Sequence, residues 1–416
     1  MEKLEVEGGI RLQGEVTISG AKNAALPIMV ASILNSGESI IHNVPSLRDI
    51  ATMGSLLSRL GVGFQKEGDK VSLHTGNINS IEAPYDLVKT MRASVLVLGP
   101  LLARMGRAKV SLPGGCAIGA RPINLHIMGL KKMGAEVTLS EGYIEASAKR
   151  LKGAQIYFDI PTVTGTENLM MAAVLAEGET VLENSACEPE VVDLANALIS
   201  MGARIEGAGT SYIRINGVAS LKPLEYRIIS DRIETATFML ASAITGGSVA
   251  IKGGRPENVE PVIMKLRETG IDIIQEEGKI VVNGRQRPLS VDIKTMPYPG
   301  FPTDMQAQFM ALMAVSDGTS FITENIFENR FMHVAEMKRM GADIRVEGST
   351  ATVRGVETLT GAPVMATDLR ASVSLVLAGL AAQGKTVIDR LYHLDRGYEK
   401  IEDKLIPLGA RVRRFK

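Results

Sequence analysis

The chain has 416 residues, too many for one ordinary hydrophobic core, so we expect two domains of about 200 residues each. Lys plus Arg and Asp plus Glu balance at 46 each, which argues against a protein that binds nucleic acids or membrane surfaces through general charge. Two cysteines exclude a disulfide framework, and five histidines without metal-binding spacing argue against a metal site, so we expect no metal and no cofactor. The first residues lack the apolar core of a secretory signal, and no apolar stretch is long enough to span a membrane, so we expect a cytoplasmic protein.

An internal repeat organises the chain. A glycine followed by a strand-like run recurs at intervals of 68 to 73 residues, at Gly61, Gly134, Gly202, Gly270, Gly341 and Gly409. A second glycine precedes each of these, between a helical apolar pattern and a β-branched run, at Gly37, Gly106, Gly178, Gly247, Gly318 and Gly384. Because glycine enters the left-handed region at little cost, each glycine of this second set is predicted to follow the end of a helix.

Each repeat has the pattern of strand, helix, strand, helix and hairpin, and the hairpin is clearest at residues 271–284, around a Glu-Glu-Gly turn. The sixth repeat ends without a returning strand, and residues 3–8 have the pattern of that strand. We therefore predict an α/β fold with two similar domains of three βαβαββ repeats each. One domain would span residues 22–228, and the other would join 1–21 to 229–416, with the N-terminal strand completing it and a cleft between the two.

The residue 14 positions before each second-set glycine falls at the predicted start of the first helix of its repeat. These equivalent positions are Asn23, Arg92, Thr164, Ile233, Asp304 and Arg370, with Lys22 and Arg232 one residue earlier in their repeats. Helix N-termini attract phosphate and carboxylate groups, so we predict that these positions, with the small-residue run at 162–168, bind an anionic ligand. Simple helix capping is the alternative for Asp304 and the threonines. It explains Lys22 and Arg92 less well, because a cation at a helix start opposes the helix dipole.

The second repeat contains an insertion. Its two glycines are 28 residues apart, against 23 to 25 in the other repeats, and the additional residues fall in the glycine-rich segment 112–122. This segment carries Cys116 and Arg121, and a cysteine beside cations can act as a nucleophile or an acid. A chance small residue in a loop is the alternative. Cys187 has acidic neighbours and is interpreted as a structural cysteine.

One tempting motif is rejected. Residues 379–386 match a phosphate-binding loop letter for letter, but such a loop follows a strand and precedes a helix. Here a helical pattern precedes Gly384 and a strand pattern follows it, so we predict no nucleoside-triphosphate site.

Six segments together give the chain a specific resemblance to a known family. They are residues 19–24, 113–122, 231–235, 299–304, 327–331 and 367–370, with the sequences SGAKNA, PGGCAIGARP, DRIET, PGFPTD, FENRF and TDLR. In these segments, and in their order along the chain, the sequence resembles the UDP-N-acetylglucosamine 1-carboxyvinyltransferases, the enolpyruvyl transferases of peptidoglycan synthesis. The resemblance implies the inside-out α/β barrel of two domains. It also implies a monomeric cytoplasmic transferase of cell-wall biogenesis, and hence of cell shape and cell division.

The resemblance further implies a reaction and its residues. The 3′-hydroxyl of UDP-N-acetylglucosamine would add to phosphoenolpyruvate, and loss of phosphate from a tetrahedral intermediate would leave the enolpyruvyl ether. Lys22, Arg121 and Arg396 would bind phosphoenolpyruvate, and Asp304 would take the hydroxyl proton. Cys116 would act as an acid or in product release, and would be the residue that the inhibitor fosfomycin alkylates. The other implied substrate contacts are Asn23, Arg92, Pro122, Ile123, Asn124, Leu125, Thr162, Val163, Thr164, Gly165, Ile326 and Arg370, with Asp231, Glu328 and Asp368 in supporting positions.

Two other functions stay open at this point. The sister enzyme that acts on shikimate 3-phosphate shares the fold and the donor, but it lacks the cysteine loop and has a different N-terminal motif. A non-catalytic paralogue that binds a nucleotide sugar would be favoured by the loss of Cys116, Asp304 or Lys22, and all three are present.

Overall fold

The computed structural model describes residues 2–112 and 123–416, which form two compact units. The middle unit comprises residues 20–112 and 123–229, and the terminal unit comprises residues 2–19 and Ser230–Lys416. Each unit has its own hydrophobic core. Among the described residues, no helix combines the length and the apolar character that crossing a membrane requires.

Short strands make up the sheets of both units. In chain order they are β1 (Lys3–Glu7), β2 (Gln13–Thr17), β3 (Glu38–His42), β4 (Gly63–Glu67), β5 (Lys70–His74), β6 (Glu82–Ala83), β7 (Arg107–Ser111), β8 (Glu136–Ser140), β9 (Tyr143–Ser147), β10 (Gln155–Tyr157), β11 (Glu179–Glu183), β12 (Arg204–Glu206), β13 (Tyr212–Asn216), β14 (Glu225–Arg227), β15 (Ser248–Lys252), β16 (Asp272–Glu276), β17 (Lys279–Asn283), β18 (Ile293–Lys294), β19 (Thr319–Thr323), β20 (Asp343–Glu347), β21 (Thr350–Arg354), β22 (Pro363–Met365), β23 (Lys385–Asp389) and β24 (Arg411–Phe415).

The helices alternate with these strands. They are α1 (Lys22–Ala31), α2 (Arg48–Arg59), α3 (Tyr85–Val88), α4 (Leu98–Met105), α5 (Asn124–Lys132), α6 (Val163–Ala173), α7 (Pro189–Ser200), α8 (Arg232–Thr245), α9 (Glu260–Glu268), α10 (Gln306–Met313), α11 (Val334–Arg339), α12 (Ala371–Ala381) and α13 (Ile401–Leu405). Short 3₁₀ helices cover Ser32–Leu34, Arg92–Val97, Pro256–Asn258, Thr303–Met305, Leu394–Arg396 and Ile406–Leu408.

Within the described residues, each unit contains three four-stranded sheets built on one plan. The middle unit has the orders β14-β3-β5-β4, β6-β7-β9-β8 and β10-β11-β13-β12, and the terminal unit has β2-β15-β17-β16, β18-β19-β21-β20 and β22-β23-β1-β24. The first pair in each order is parallel and the other pairs are antiparallel. Strand β1 lies between β23 and β24, where Leu4 is opposite Ile388 on one side and Arg414 on the other.

The helices of each unit fall into two classes by burial. Every residue of α10 and residues 371–380 of α12 are buried, including the polar residues Gln306 and Gln308 of α10. In the terminal unit α8, α10 and α12 pack on one another, and in the middle unit α4 packs on α6. The second helix of each repeat is instead amphipathic, as α2 shows by burying the face that carries Ile50, Met53 and Leu57. The buried helices begin at the positions that the sequence marks as candidate ligand contacts.

The repeat glycines serve two different purposes. Gly106, Gly178, Gly318 and Gly384 have positive φ between 71° and 114°, as predicted for residues that follow a helix end. Gly37 and Gly247 also lie between a helical segment and a strand, as predicted, but they do not adopt positive φ, and after α8 it is Gly246 that does. At those two positions glycine is needed for close approach, because an added Cβ would lie 2.7 Å from Pro223 Cγ and 2.1 Å from the Leu12 carbonyl oxygen respectively.

Candidate active site

In the terminal unit, Asp304 is held by two arginines. It lies in the 3₁₀ helix that leads into α10, and its carboxylate contacts Arg330 Nη2 at 2.7 Å and Arg370 Nε at 3.2 Å. The Asp304 side chain is 27% exposed, whereas those of Arg330 and Arg370 are 5% and 2% exposed. The carboxylate therefore keeps contact with solvent while two buried cations lie against it.

This arrangement fixes the charge of Asp304. Burial alone would raise the pKa of the carboxyl group, but Arg330 and Arg370, with a smaller contribution from Arg232, hold that pKa well below its usual range. Asp304 is therefore ionised at every physiological pH. Its oxygens accept charge-assisted hydrogen bonds rather than capping α10, so the capping interpretation fails for this residue.

Arg370 in turn packs against the ring of Tyr398. The guanidinium lies 5.6 Å from the centre of the Tyr398 ring, and the Tyr398 hydroxyl is 2.8 Å from Thr237 Oγ1. Burial raises the pKa of Tyr398 to about 12, so the ring stays neutral. Burial also disfavours the charged form of Arg370, but Asp304 and Tyr398 outweigh that cost and hold the pKa of Arg370 above its ordinary value.

A second set of hydrogen bonds orders the loop that carries Arg330. Arg330 Nη1 donates to Thr303 Oγ1 at 2.8 Å, and Thr303 Oγ1 donates to Glu324 Oε2 at 2.8 Å. Glu324 Oε1 accepts the backbone N–H of Ile326 at 2.8 Å. The predicted ligand contact Ile326 is thus tied to the same loop as Arg330, and Glu328 lies between them in the chain.

The two aspartates predicted as supporting residues cap helices. Asp231 accepts the N–H groups of Ile233 and Glu234 at 2.8 and 3.0 Å at the start of α8. Asp368 Oδ1 accepts the N–H groups of Arg370 and Ala371 at 2.8 and 2.9 Å. Asp368 therefore fixes the backbone from which the Arg370 side chain reaches Asp304.

Several buried polar atoms on the elements around Asp304 have no hydrogen-bond partner among residues 2–112 and 123–416. They include Nη1 of Arg370, Oδ2 of Asp368 and Oε1 of Gln308, whose Nε2 donates to the Asp304 carbonyl oxygen at 2.7 Å. Arg396 is the last residue of the 3₁₀ helix Leu394–Arg396. The pKa of His393 is lowered mainly by burial and also by the charge of Arg396. The surroundings of Asp304 can therefore offer a polar ligand both donors and an acceptor.

In the middle unit, the predicted contact Lys22 is buried at the first position of α1. Its Nζ lies 3.1 Å from Asp49 Oδ2, and the two side chains are 6% and 5% exposed. Asp49 lies in the first turn of α2, where its charge favours the helix dipole, whereas the charge of Lys22 opposes the dipole of α1. Asn23 follows Lys22 and is partly exposed. Helix stability thus gives no reason for a cation at position 22.

The start of α6 supplies the other predicted contacts of this unit. Thr162 caps the helix by accepting the Gly165 N–H at 3.2 Å, and an added Cβ on Gly165 would lie 2.4 Å from Thr162 Cγ2. Val163 and Thr164 form the first turn. Thr164 Oγ1 lies 3.4 Å from Nε2 of His126, whose pKa is lowered to about 4 by burial and by Arg92 at the start of the 3₁₀ helix.

The remaining predicted residues flank the segment that the structure leaves undescribed. Ile123 precedes α5, Asn124 begins it and Leu125 is buried. Cys116, Arg121 and Pro122 lie outside the described residues. Cys187 lies in the described part of the chain, where burial and Glu188 raise the pKa of its thiol, which fits a structural cysteine.

Two polar residues close to these contacts, Arg330 and His126, were not assigned a role from the sequence, and Asn168 was included only as the last residue of the run 162–168. Arg330 contacts Asp304, and His126 contacts both Thr164 and Asn168. Arg330 falls within the segment FENRF, which carried the family resemblance without being assigned a contact. His126 and Asn168 give no motif signal, because their pairing joins two helices that are far apart in sequence.

The rejected phosphate-loop motif has the order of elements that the sequence indicated. Gly384 follows α12 and precedes β23, so a helix comes before the glycine and a strand after it. This is the reverse of the strand-to-helix order that places a phosphate at a helix N-terminus.

Comparison with known proteins identifies the family. The model of the family described as EPSP synthase (3-phosphoshikimate 1-carboxyvinyltransferase) matches residues 6–405. A UDP-N-acetylglucosamine 1-carboxyvinyltransferase of Thermodesulfovibrio yellowstonii is 64% identical, with 100% of both chains covered. One of Geobacter metallireducens is 61% identical, again over 100% of both chains.

Solved structures agree with this assignment. The enolpyruvyl transferase NikO from Streptomyces tendae matches with a TM-score of 0.89 and 26% identity, over 100% of this chain and 99% of that one. An EPSP synthase from Acinetobacter baumannii matches with a TM-score of 0.77 and 19% identity over 100% of both chains, which shows a shared fold. The predicted enolpyruvyl transferase fold is thereby confirmed. The chain belongs to the UDP-N-acetylglucosamine 1-carboxyvinyltransferase family of enolpyruvyl transferases.

Proposed function

We propose that this chain transfers the enolpyruvyl group of phosphoenolpyruvate to the 3′-hydroxyl of UDP-N-acetylglucosamine, with release of phosphate. The observation that carries the proposal is the ionised Asp304 carboxylate between Arg330 and Arg370, at 2.7 and 3.2 Å. Full-length relatives at 57 to 64% identity, named for this reaction, support the choice of acceptor.

Asp304 takes the proton from the sugar hydroxyl as that oxygen attacks C2 of phosphoenolpyruvate. A carboxylate whose pKa is held so low is a weak base, so at least one of its two guanidinium partners has to turn to another anion first. The substrates bring such anions, because phosphoenolpyruvate carries a phosphate and a carboxylate. Arg370, with a buried Nη1 that lacks a partner among the described residues, is suited to this exchange.

Fixed cations stabilise the charge that develops on the phosphate as the tetrahedral intermediate forms and collapses. Lys22, Arg121 and Arg396 bind phosphoenolpyruvate in this proposal. Cys116 protonates C3 or acts in product release. The sugar nucleotide contacts Asn23, Arg92, residues 121–125, residues 162–165 and Ile326. Arg370 binds a substrate anion, and Asp231, Glu328 and Asp368 hold their neighbours in place.

The biological setting follows from the reaction. Enolpyruvyl transfer to this sugar nucleotide is the first committed step of peptidoglycan synthesis, so the protein acts in the cytoplasm in cell-wall biogenesis, cell shape and cell division. It works as a monomer with two domains, residues 22–228 and residues 1–21 with 229–416. It needs neither nucleic acid nor membrane as a partner.

Phosphate release tests the proposal. The protein is mixed with phosphoenolpyruvate and UDP-N-acetylglucosamine, and a parallel reaction contains shikimate 3-phosphate as the acceptor. We expect phosphate only with the sugar nucleotide. Release with shikimate 3-phosphate alone would identify the sister activity, and release with neither, despite tight binding of the sugar nucleotide, would identify a non-catalytic paralogue.

Cys116→Asp is expected to abolish inactivation by fosfomycin while some turnover remains. The thiolate is the nucleophile that opens the epoxide, and a carboxylate is a poorer nucleophile that can still hold a proton. Time-dependent loss of phosphate release, with and without fosfomycin, measures both effects. Cys187→Asp is the matched control and should leave inactivation unchanged. Equal inactivation of Cys116→Asp and the parent protein would remove Cys116 from the proposal.

A further inference from the structure

A chain of three polar side chains crosses the interior of the middle unit. Nδ2 of Asn168 lies 2.8 Å from Nδ1 of His126, and Nε2 of His126 lies 3.4 Å from Oγ1 of Thr164. Asn168 and His126 are 0% and 1% exposed, whereas Thr164 is partly exposed at the start of α6. These three side chains therefore lead from the core to the start of α6, which carries the predicted ligand contacts.

The hydrogen bonds that link Asn168, His126 and Thr164 have their directions set at the buried end, where Asn168 contacts Gly99. The backbone N–H of Gly99 lies 2.7 Å from Asn168 Oδ1, and because an N–H can only donate, that atom is the amide oxygen. The NH₂ group of Asn168 then faces His126 and donates to Nδ1. Nδ1 must be unprotonated to accept, so the ring proton is on Nε2, from which it points to Thr164.

The close contact that fixes the Asn168 amide requires glycine at position 99. A Cβ at position 99 would lie 2.4 Å from both the backbone oxygen and Oδ1 of Asn168. Only glycine therefore allows the first turn of α4 to approach α6 at this point. The contact holds Asn168 between α4 and α5, and His126 follows directly on the predicted substrate contacts 121–125.

We propose that Asn168 is a positioning residue that keeps His126 in its Nε2–H form, so that the Thr164 hydroxyl accepts from His126 and donates its own hydrogen to a diphosphate oxygen of the nucleotide sugar. A hydroxyl that already accepts one hydrogen bond can still donate one. The start of a helix also favours an anionic acceptor at this place. The ligand in this inference rests on the proposed function, whereas the hydrogen-bond directions do not.

The ionisable groups around His126 leave it neutral. Burial and the charge of Arg92 lower its pKa to about 4. Other ionisable groups on α5 and on the elements packed against it are Lys131 and Lys132 on α5, Glu167 on α6, Glu136 on β8 and Tyr157 on β10. Glu167 is buried, and its pKa is raised well above the usual range by burial and by Glu190 and Glu188, so it adds no negative charge that would favour a protonated ring.

Asn168→Asp tests the proposal because it reverses one hydrogen bond and preserves shape. A carboxylate still accepts from Gly99 but cannot donate to Nδ1, so it favours a proton on Nδ1 and raises the pKa of His126. Above that pKa the neutral ring has the Nδ1–H form, and Thr164 has to donate to Nε2 instead of to the ligand. Below it, the doubly protonated ring again donates to Thr164.

The expected result is a pH-dependent Michaelis constant for the nucleotide sugar. In Asn168→Asp this KM should rise about threefold to tenfold as the pH increases from about 5.5 to 8.5, while the unaltered protein stays flat. The KM for phosphoenolpyruvate should change little. In Thr164→Val, which has no hydroxyl to redirect, adding Asn168→Asp should produce no such rise. A rise that persists in the double variant, or no rise in the single variant, would overturn the positioning role.

Asn35→Asp is the matched control for placing a carboxylate at a buried asparagine of the same unit. Asn35 is 2% exposed and donates from Nδ2 to Ser32 and Ser39, with no histidine in the contact. Its variant should show no pH-dependent KM. The same rise in Asn35→Asp would contradict the inference, because a general effect of burying charge would then explain it.

Nitrogen chemical shifts of the histidine rings test the hydrogen-bond directions without substrate. His126 should show the neutral Nε2–H pattern between about pH 5.5 and 8.5 in the unaltered protein, and should titrate in Asn168→Asp. An Nδ1–H pattern or a titration in the unaltered protein would overturn the inference. If the shifts are as expected but the sugar nucleotide neither binds nor yields phosphate, the proposed function fails and the diphosphate part of the inference fails with it. The assigned tautomer is supported in that case.

Discussion

Asp304→Asn is expected to lower the turnover number by about 10²-fold or more, with a much smaller change in the KM of either substrate. The amide keeps the shape of the side chain but cannot take the hydroxyl proton. It also removes the negative charge that Arg330 and Arg370 share at 2.7 and 3.2 Å. Steady-state phosphate release with each substrate varied in turn measures the split between turnover and KM.

The same substitution should have a pH-dependent cost in stability. The pKa of Asp304 is lowered in the folded protein, so its contribution to the free energy of unfolding is present above the ordinary carboxyl range, near pH 3.9, and is lost as the pH falls through the folded pKa. At pH 7 we expect Asp304→Asn to destabilise the protein by about 2 kcal/mol, less than in a fully buried pair because Asp304 keeps solvent contact. The difference from the parent protein should narrow in acid below about pH 4.

Asp193→Asn separates this effect from the general cost of neutralising a buried aspartate. Asp193 is 2% exposed and accepts the Tyr226 hydroxyl at 2.7 Å, and it is outside the proposed set of substrate contacts. It should lose some stability and keep most of the turnover. A near-normal turnover number for Asp304→Asn itself would mean that the carboxylate only orders the two arginines.

The repeat made the fold accessible from the sequence. Six glycines at regular intervals fix the number of repeats, and all six of the first set have positive φ in the structure. The period also located the starts of the buried helices, because equivalent residues of a repeat occupy equivalent places. Asp304 and Arg370, 66 positions apart, meet in this way.

Contacts outside the repeat register could not be found by the same route. Arg330 reaches Asp304 from a loop whose length and sequence do not recur, and His126 meets Asn168 through the packing of α5 on α6. The close approaches at Gly37 and Gly247 depend on Pro223 and Leu12, which are far away in sequence. The contacts predicted for Cys116, Arg121 and Pro122 stay predictions, because these residues lie outside the described part of the chain.

Lys22→Met is expected to lower the turnover number by at least about 10²-fold, because it removes a fixed cation from the phosphate that leaves. Methionine keeps much of the length and the apolar part of the side chain. The substitution also leaves Asp49 buried without the amine at 3.1 Å, so a stability loss of about 3 kcal/mol should accompany it. Phosphate release and denaturant unfolding, measured on one preparation, give both quantities.

Two further variants decide which of these effects causes the other. Asp49→Asn retains the lysine charge and should keep turnover within about tenfold of the parent protein, although it weakens the ion pair. Lys22→Met combined with Asp49→Asn removes both charges, so stability should largely recover because the ion pair is removed as a whole instead of losing one partner. Turnover should not recover with it. If the double variant regained activity along with stability, Lys22 would be a structural partner of Asp49, and the phosphate would have to be bound by other cations.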